Sequence, residues 1–218
     1  HSIRRRQRQM CIRDSTSFYM RVKKTIAFKK LKQLQSRIRI VKGGTSASKT
    51  ISILCLLIDY AIRNDGKEIS VVAESIPALR RGCVKDFLGI LKGLGRYKDS
   101  QFNKSTLKYT FTNSSYIEFF STDQPDKLRG ARRTDLYINE CNNVPFDAYN
   151  QLAVRTSGTV WLDYNPSNIF WVDKELIGKE DTDYITLTYK DNNALSESIV
   201  KEIEKARDKG KTSTYWAN

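Results

Sequence analysis

Two rhythms of apolar and polar residues take turns along this chain. Arg37-Ile-Arg-Ile-Val41 alternates with period two and runs into Gly43-Gly44, which predicts a strand and then a turn. Residues 50–63 (TISILCLLIDYAIR) form a largely apolar helical stretch closed by Asn64-Asp65-Gly66. Glu68–Ala73 has the continuous apolar character of a buried strand. Pro77, at a favoured first-turn position, opens a helix to about Leu91. Leu107–Phe111 and Tyr116–Phe120 alternate around Thr112-Asn-Ser-Ser115 and predict a hairpin. Strands are expected at Asp135–Asn139, Thr159–Tyr164 and Tyr184–Tyr189. A helix is expected from Pro145 to about Val154, and a last one, capped by Ser196, ending at Gly210. Strands alternating with helices imply an α/β fold: a mostly parallel sheet flanked by helices on both faces.

Composition narrows the function. With 218 residues and 39% hydrophobic content there is material for a core, which excludes global disorder. The longest apolar run, Ile53–Ile58, is closed by Asp59 and falls far short of the ~20 residues of a membrane span. The only histidine is His1, so chemistry resting on an internal His is excluded. The four cysteines (Cys11, Cys55, Cys83, Cys141) form no CxxC, which excludes zinc ribbons and dithiol motifs and fits a reducing compartment.

The net charge of +14 invites a nucleic-acid partner, but it is unevenly placed. Residues 1–39 hold 13 Lys/Arg against a single acid, Asp14, whereas the remaining 25 basic and 23 acidic side chains nearly cancel. Residues 1–15 (HSIRRRQRQMCIRDS) have neither period and resemble a translated sequencing adapter; they are expected to be a non-native leader. A native arm that binds DNA phosphates is the alternative. Residues 16–36 are taken as a basic arm and helix in which Ile26, Leu31 and Leu34 share one face.

Chemistry concentrates in Gly43, Gly44, Thr45, Ser46, Ala47, Ser48, Lys49 and Thr50. Between a strand and a helix, such a segment can turn its N–H groups around phosphate oxygens at the positive end of the helix. Lys49 would reach the β- and γ-phosphates and the Thr50 hydroxyl would hold Mg²⁺. Ser48 stands where G-x-x-x-x-G-K-[ST] has glycine, and the loop is expected to keep its shape with Ser48 at negative φ. Leu136-Tyr-Ile-Asn-Glu140 is the partner expected at a neighbouring strand end. Glu140 is the candidate general base for an attacking water, and Asn139 occupies the Mg²⁺ position without a charge. Asp181 and Asp183 form an isolated acidic patch, expected to be solvated. Gln33 and Gln35 are upstream candidates for an adenine contact.

Four segments in this order, GGTSASKT, KLRGARRTDLYINECNN, VWLDYNPSNIFWV and TLTYKDNNALS, resemble the large terminase subunit of tailed bacteriophages. The resemblance covers roughly residues 36–218. It implies a P-loop NTPase of the ASCE type, an ATP-hydrolysing motor that translocates double-stranded DNA into procapsids. Lys49 and Thr50 would be the Walker A lysine and Mg²⁺ ligand, and Glu140 the catalytic glutamate with Asn139 beside it. Arg129 would be an arginine finger, with Arg132 and Arg133 as competitors, and Asn165 the coupling residue that senses the γ-phosphate. The implied partners are double-stranded DNA, a portal protein, a small terminase subunit and further copies in a ring, with no membrane. The implied location is the host cytoplasm, transiently docked on the procapsid. Residues 37–190 would form the ATPase core and residues 191–218 the start of a lid or linker subdomain. Nothing resembles the family's C-terminal nuclease, so DNA cleavage is not expected of these residues. Two other readings stay open: another DNA-dependent P-loop ATPase or helicase, and a nucleotide-binding module with decayed motifs.

Overall fold

The computed structural model describes residues 25–130, 132–166 and 169–210. The expected leader 1–15 and the segment 211–218 lie outside the described residues. Helix α1 (Ile26–Lys32) precedes β1 (Ile38–Gly43), which leads through residues 44–48 into α2 (Lys49–Arg63). Strand β2 (Glu68–Ala73) feeds a helical run: α3 (Ile76–Leu79), a π-helical turn at Arg80–Val84, then α4 (Lys85–Gly93). The short β3 (Phe102–Asn103), β4 (Lys108–Thr110) and β5 (Tyr116–Ser121) lead to α5 (Pro125–Leu128) and β6 (Asp135–Ile138). Helix α6 (Phe146–Ala153), β7 (Val160–Tyr164), α7 (Trp171–Glu175), β8 (Thr182–Leu187) and α8 (Glu197–Gly210) complete the order.

The eight strands lie in the order β3-β4-β5-β2-β6-β7-β1-β8. From β5 to β8 every pairing is parallel, and only β3–β4 and β4–β5 are antiparallel. This topology explains why the strands read as apolar runs. Successive side chains point to opposite faces, and here both faces are covered. Val41, Val71, Tyr137 and Trp161 join a core with α1, α2 and α4. Their neighbours Ile40, Val72, Ile138 and Leu162 join a second core with α6 and α7. Burying each such side chain contributes about 1.5–3 kcal/mol.

The expected elements are found with small shifts. The last parallel strand is Thr182–Leu187 rather than Tyr184–Tyr189, because Tyr189 falls in a 3₁₀ turn capped by the Asp191 carboxylate, which accepts from Thr188 N at 2.8 Å. On α1 the buried face is Ala27, Phe28 and Leu31, with Leu34 packed against it. Ile26, expected on that face, is 42% exposed because it opens the helix beside the Thr25 cap. The acidic patch is not merely solvated. Asp181 Oδ1 accepts from Arg37 N at 2.9 Å, and Asp183 Oδ2 accepts from Gln35 N and Ser36 N at 2.7 and 2.8 Å. These donors hold the Asp183 carboxyl below its usual range and tie the entry of β1 to β8.

Parallel pairing brings the carboxyl ends of β1, β7 and β6 to one edge of the sheet, where open α/β sheets bind ligands. β1 ends on Gly43, where a Cβ would stand 2.4 Å from the Leu187 carbonyl oxygen, so glycine alone lets β8 approach.

Candidate active site

A cavity of about 450 Å³ opens at that edge. Its walls include residues 44–51 of the loop and first turn of α2, Glu140 after β6, Asp163 and Asn165 at the end of β7, and Asn192 after β8. Every predicted loop residue from Gly44 to Thr50 therefore lines one space with Glu140 and Asn165, and Gly43 ends the strand beneath it.

Lys49 opens α2 and is only 8% exposed. Its ammonium donates to Gly43 O at 2.7 Å, Gly44 O at 3.2 Å and Asn165 Oδ1 at 2.9 Å. Burial pushes its pKa down, while the Asp163 and Glu140 carboxylates push it back up. A buried cation with neutral acceptors and two nearby carboxylates is ready to exchange partners with an incoming polyanion.

The loop differs from expectation at one point. Ser48 has φ +64°, not a negative value, and Ser46 has φ +69°. The left-handed turn that the motif assigns to glycine is kept, and serine accepts the strain. The Ser48 and Ser52 hydroxyls lie 3.1 Å apart and compensate in part. A left-handed non-glycine residue costs about 1–2 kcal/mol, against about 0.5–1 kcal/mol for the extra freedom of glycine in the unfolded chain. Ser48→Gly should therefore raise the melting temperature of the full chain by roughly 1–4 °C. An unchanged or lower value in a thermal melt would show that the serine turn is unstrained.

Glu140 sits one residue beyond Asn139 in a left-handed conformation, φ +51°, a cost that persists where surrounding contacts enforce it. Its backbone N–H donates to Asp163 Oδ1 at 3.0 Å, which fixes the turn and leaves the exposed side chain facing the cavity. Asn139 Nδ2 lies 2.9 Å from Asp163 Oδ1, 3.2 Å from Tyr137 Oη and 3.4 Å from Thr50 Oγ1.

Asp163 is the residue that sequence reasoning missed. It was visible inside VWLDYNP, but within an apolar strand it gave no chemical signal of its own. It is 1% exposed, walls the cavity and collects Asn139, Tyr137 and Glu140 as donors. Burial pushes its pKa up, opposed by Lys49 and by those donors. Asn192 was missed too: its Nδ2 donates to Ser46 O at 2.8 Å and ties the segment after β8 to the loop.

The arginine candidates separate. Arg133 is 4% exposed, with Nε donating to Ser70 Oγ at 3.1 Å and Nη1 to Leu152 O at 3.0 Å, so its guanidinium is packed into the fold and does not wall the cavity. Arg129 and Arg132 are exposed, and neither walls the cavity. Gln33 and Gln35 do not wall it either; Gln35 Nε2 donates to Gln33 O at 3.2 Å.

Residues 35–217 match the model of the phage terminase large subunit family. The fold resembles the large terminase of a thermophilic bacteriophage, with TM-score 0.70 and 20% identity over 85% of this chain and 49% of that one. In its complex with ATP-gamma-S, the same phage's terminase matches with TM-score 0.70 and 18% identity, covering 90% of this chain and 50% of that one. The large terminase ATPase domain of Thermus phage P74-26 matches with TM-score 0.62 and 13% identity over 87% of this chain and 88% of that domain. The chain thus spans about half the length of the thermophilic phage's terminase. No curated protein sequence matches it.

Proposed function

The chain belongs to the phage terminase large subunit family, and on that premise we propose that it hydrolyses ATP to move double-stranded DNA into a procapsid. One observation carries the reading. A buried lysine at the head of α2, a glutamate after β6 and an asparagine after β7 converge on one cavity floored by a phosphate-type loop.

Each side chain then has a task. Loop N–H groups and Lys49 would bind the phosphate oxygens, with the α2 N-terminus adding its dipole. Glu140 would orient and deprotonate the attacking water. Phosphate oxygens would compete with Asn165 Oδ1 for the Lys49 ammonium, and through that exchange Asn165 would report the nucleotide to β7 and the segment beyond it. Arg129, exposed and away from the cavity, would act as an arginine finger on the nucleotide of a neighbouring copy in a ring.

ATP of this kind travels with Mg²⁺, and the donors fit it. The Thr50 hydroxyl and the Glu140 and Asp163 carboxylates offer oxygen only, as a small hard cation requires. Among the described residues no group of three or more His, Cys, Asp or Glu could hold a metal ion; Mg²⁺ usually keeps several waters and takes one or two carboxylates plus substrate phosphates. When bound, Mg²⁺ would neutralise charge developing on the phosphates.

The portal protein and the small terminase subunit are the proposed partners, and the host cytoplasm and the procapsid the proposed setting. Among the described residues no helix is long and apolar enough to cross a membrane. Phosphate release from Mg²⁺–ATP should rise at least threefold when linear double-stranded DNA is added to the full chain. Equal rates with and without DNA would separate the ATPase from DNA movement.

A further inference from the structure

A strand end that lacks its aspartate raises the question of where the missing charge is. Asn139 brings none. Asp163 lies one strand away at the same level: Ile138 of β6 pairs with Leu162 of β7, so Asn139 and Asp163 are the next step of the ladder. On its other side Asp163 pairs with Val41 of β1, the strand that delivers the phosphate loop. It thus stands between the strand of the loop and the strand of the glutamate.

Orientation points the same way. A carboxylate only accepts, so Asp163 selects the NH₂ end of the Asn139 amide. With Nδ2 at 2.9 Å from Asp163 and 3.4 Å from Thr50 Oγ1, Asn139 presents a donor towards Thr50, and a donor cannot coordinate a cation. Asp163 walls the cavity and Asn139 is not among the wall residues. All three donors to Asp163 meet Oδ1; among the described residues no donor reaches Oδ2. Asp163, only 1% exposed, thus lines the same cavity as Thr50 with one carboxylate oxygen that accepts no hydrogen bond among the described residues.

We propose that Asp163 is the carboxylate to which the cation accompanying the triphosphate is drawn, and that Asn139 is a positioning residue that orients Asp163 instead of replacing an aspartate. The inference rests on the ATP-binding reading above and names the acid of that same site.

The test is binding of the fluorescent nucleotide mant-ATP to the full chain, titrated with Mg²⁺, for wild type, D163N and N139D/D163N. In excess EDTA, D163N should bind at least as tightly as wild type, because a negative charge near the phosphates is gone. Its half-saturating Mg²⁺ concentration should rise tenfold or more. The double variant moves the charge back to β6 and should return the Mg²⁺ requirement to within about threefold of wild type; it also carries the test if D163N alone does not fold. A wild-type Mg²⁺ requirement in D163N, or a double variant as indifferent to Mg²⁺ as one without any acid, would overturn the assignment. Absence of mant-ATP binding by wild type would overturn the functional reading as well, whereas normal binding with an unshifted Mg²⁺ requirement in D163N would overturn this inference alone.

Discussion

Glu140→Gln should cut the rate of ATP hydrolysis by at least a hundredfold while ATP still binds within about threefold of wild type. The argument starts from the backbone. Residue 140 is held in its left-handed turn by its own N–H on Asp163 Oδ1, and glutamine makes that bond equally well. The side chain is exposed and makes no hydrogen bond among the described residues, so the isosteric change leaves packing and melting temperature almost unaltered. What is lost is the capacity to take a proton from water. A positioned general base is worth typically 10²–10⁴-fold, which sets the floor of the expected loss. Phosphate release measured alongside equilibrium nucleotide binding separates the two effects. Turnover within tenfold of wild type would remove Glu140 from the chemistry.

The fold was legible because parallel strands covered on both faces leave long apolar runs, as in EISVVA and VWLDY, between helices of a different period. The placement of residues 43–50 was legible because small residues between an alternating strand and an apolar helix mark a turn at a sheet edge, and the structure puts them there, with residues 44–50 in the wall of the cavity. Ser48, Arg133 and Asp163 show why other features escaped. The conformation of Ser48 depends on the loop's closure against the rest of the site, and propensity alone favoured the wrong sign of φ. Arg133 looked like its neighbours Arg129 and Arg132 until the sheet placed it against Ser70 and the end of α6. Asp163 escaped because a buried acid in an apolar strand acquires its meaning from the adjacent strand, and strand order is a property of the tertiary fold. The three donors to Asp163, from Tyr137, Asn139 and Glu140, all come from β6 and the residues just after it, while Val41 of β1 pairs with Asp163 on the other side.

The lysine at the head of α2 carries the largest expected effect on binding. Lys49 is buried among the Gly43 and Gly44 carbonyls and Asn165, with Asp163 and Glu140 nearby. On the proposed reading, replacing it by alanine removes the cation that would face the phosphates. A charge pair about 4 Å apart near a protein surface interacts by about 4 kcal/mol, and each 1.4 kcal/mol is about tenfold in affinity. Lys49→Ala should therefore weaken ATP binding by about a hundredfold or more. The same change leaves Asp163 and Glu140 without their nearest compensating charge, so the melting temperature is followed in parallel. The most direct measurement is titration calorimetry of Mg²⁺–ATP on the full chain, wild type beside Lys49→Ala, with both melts recorded. A saturable wild-type isotherm that vanishes in a folded Lys49→Ala protein is the result that follows from a triphosphate gripped at the loop. Equal isotherms from two folded proteins would place the nucleotide elsewhere and end the account.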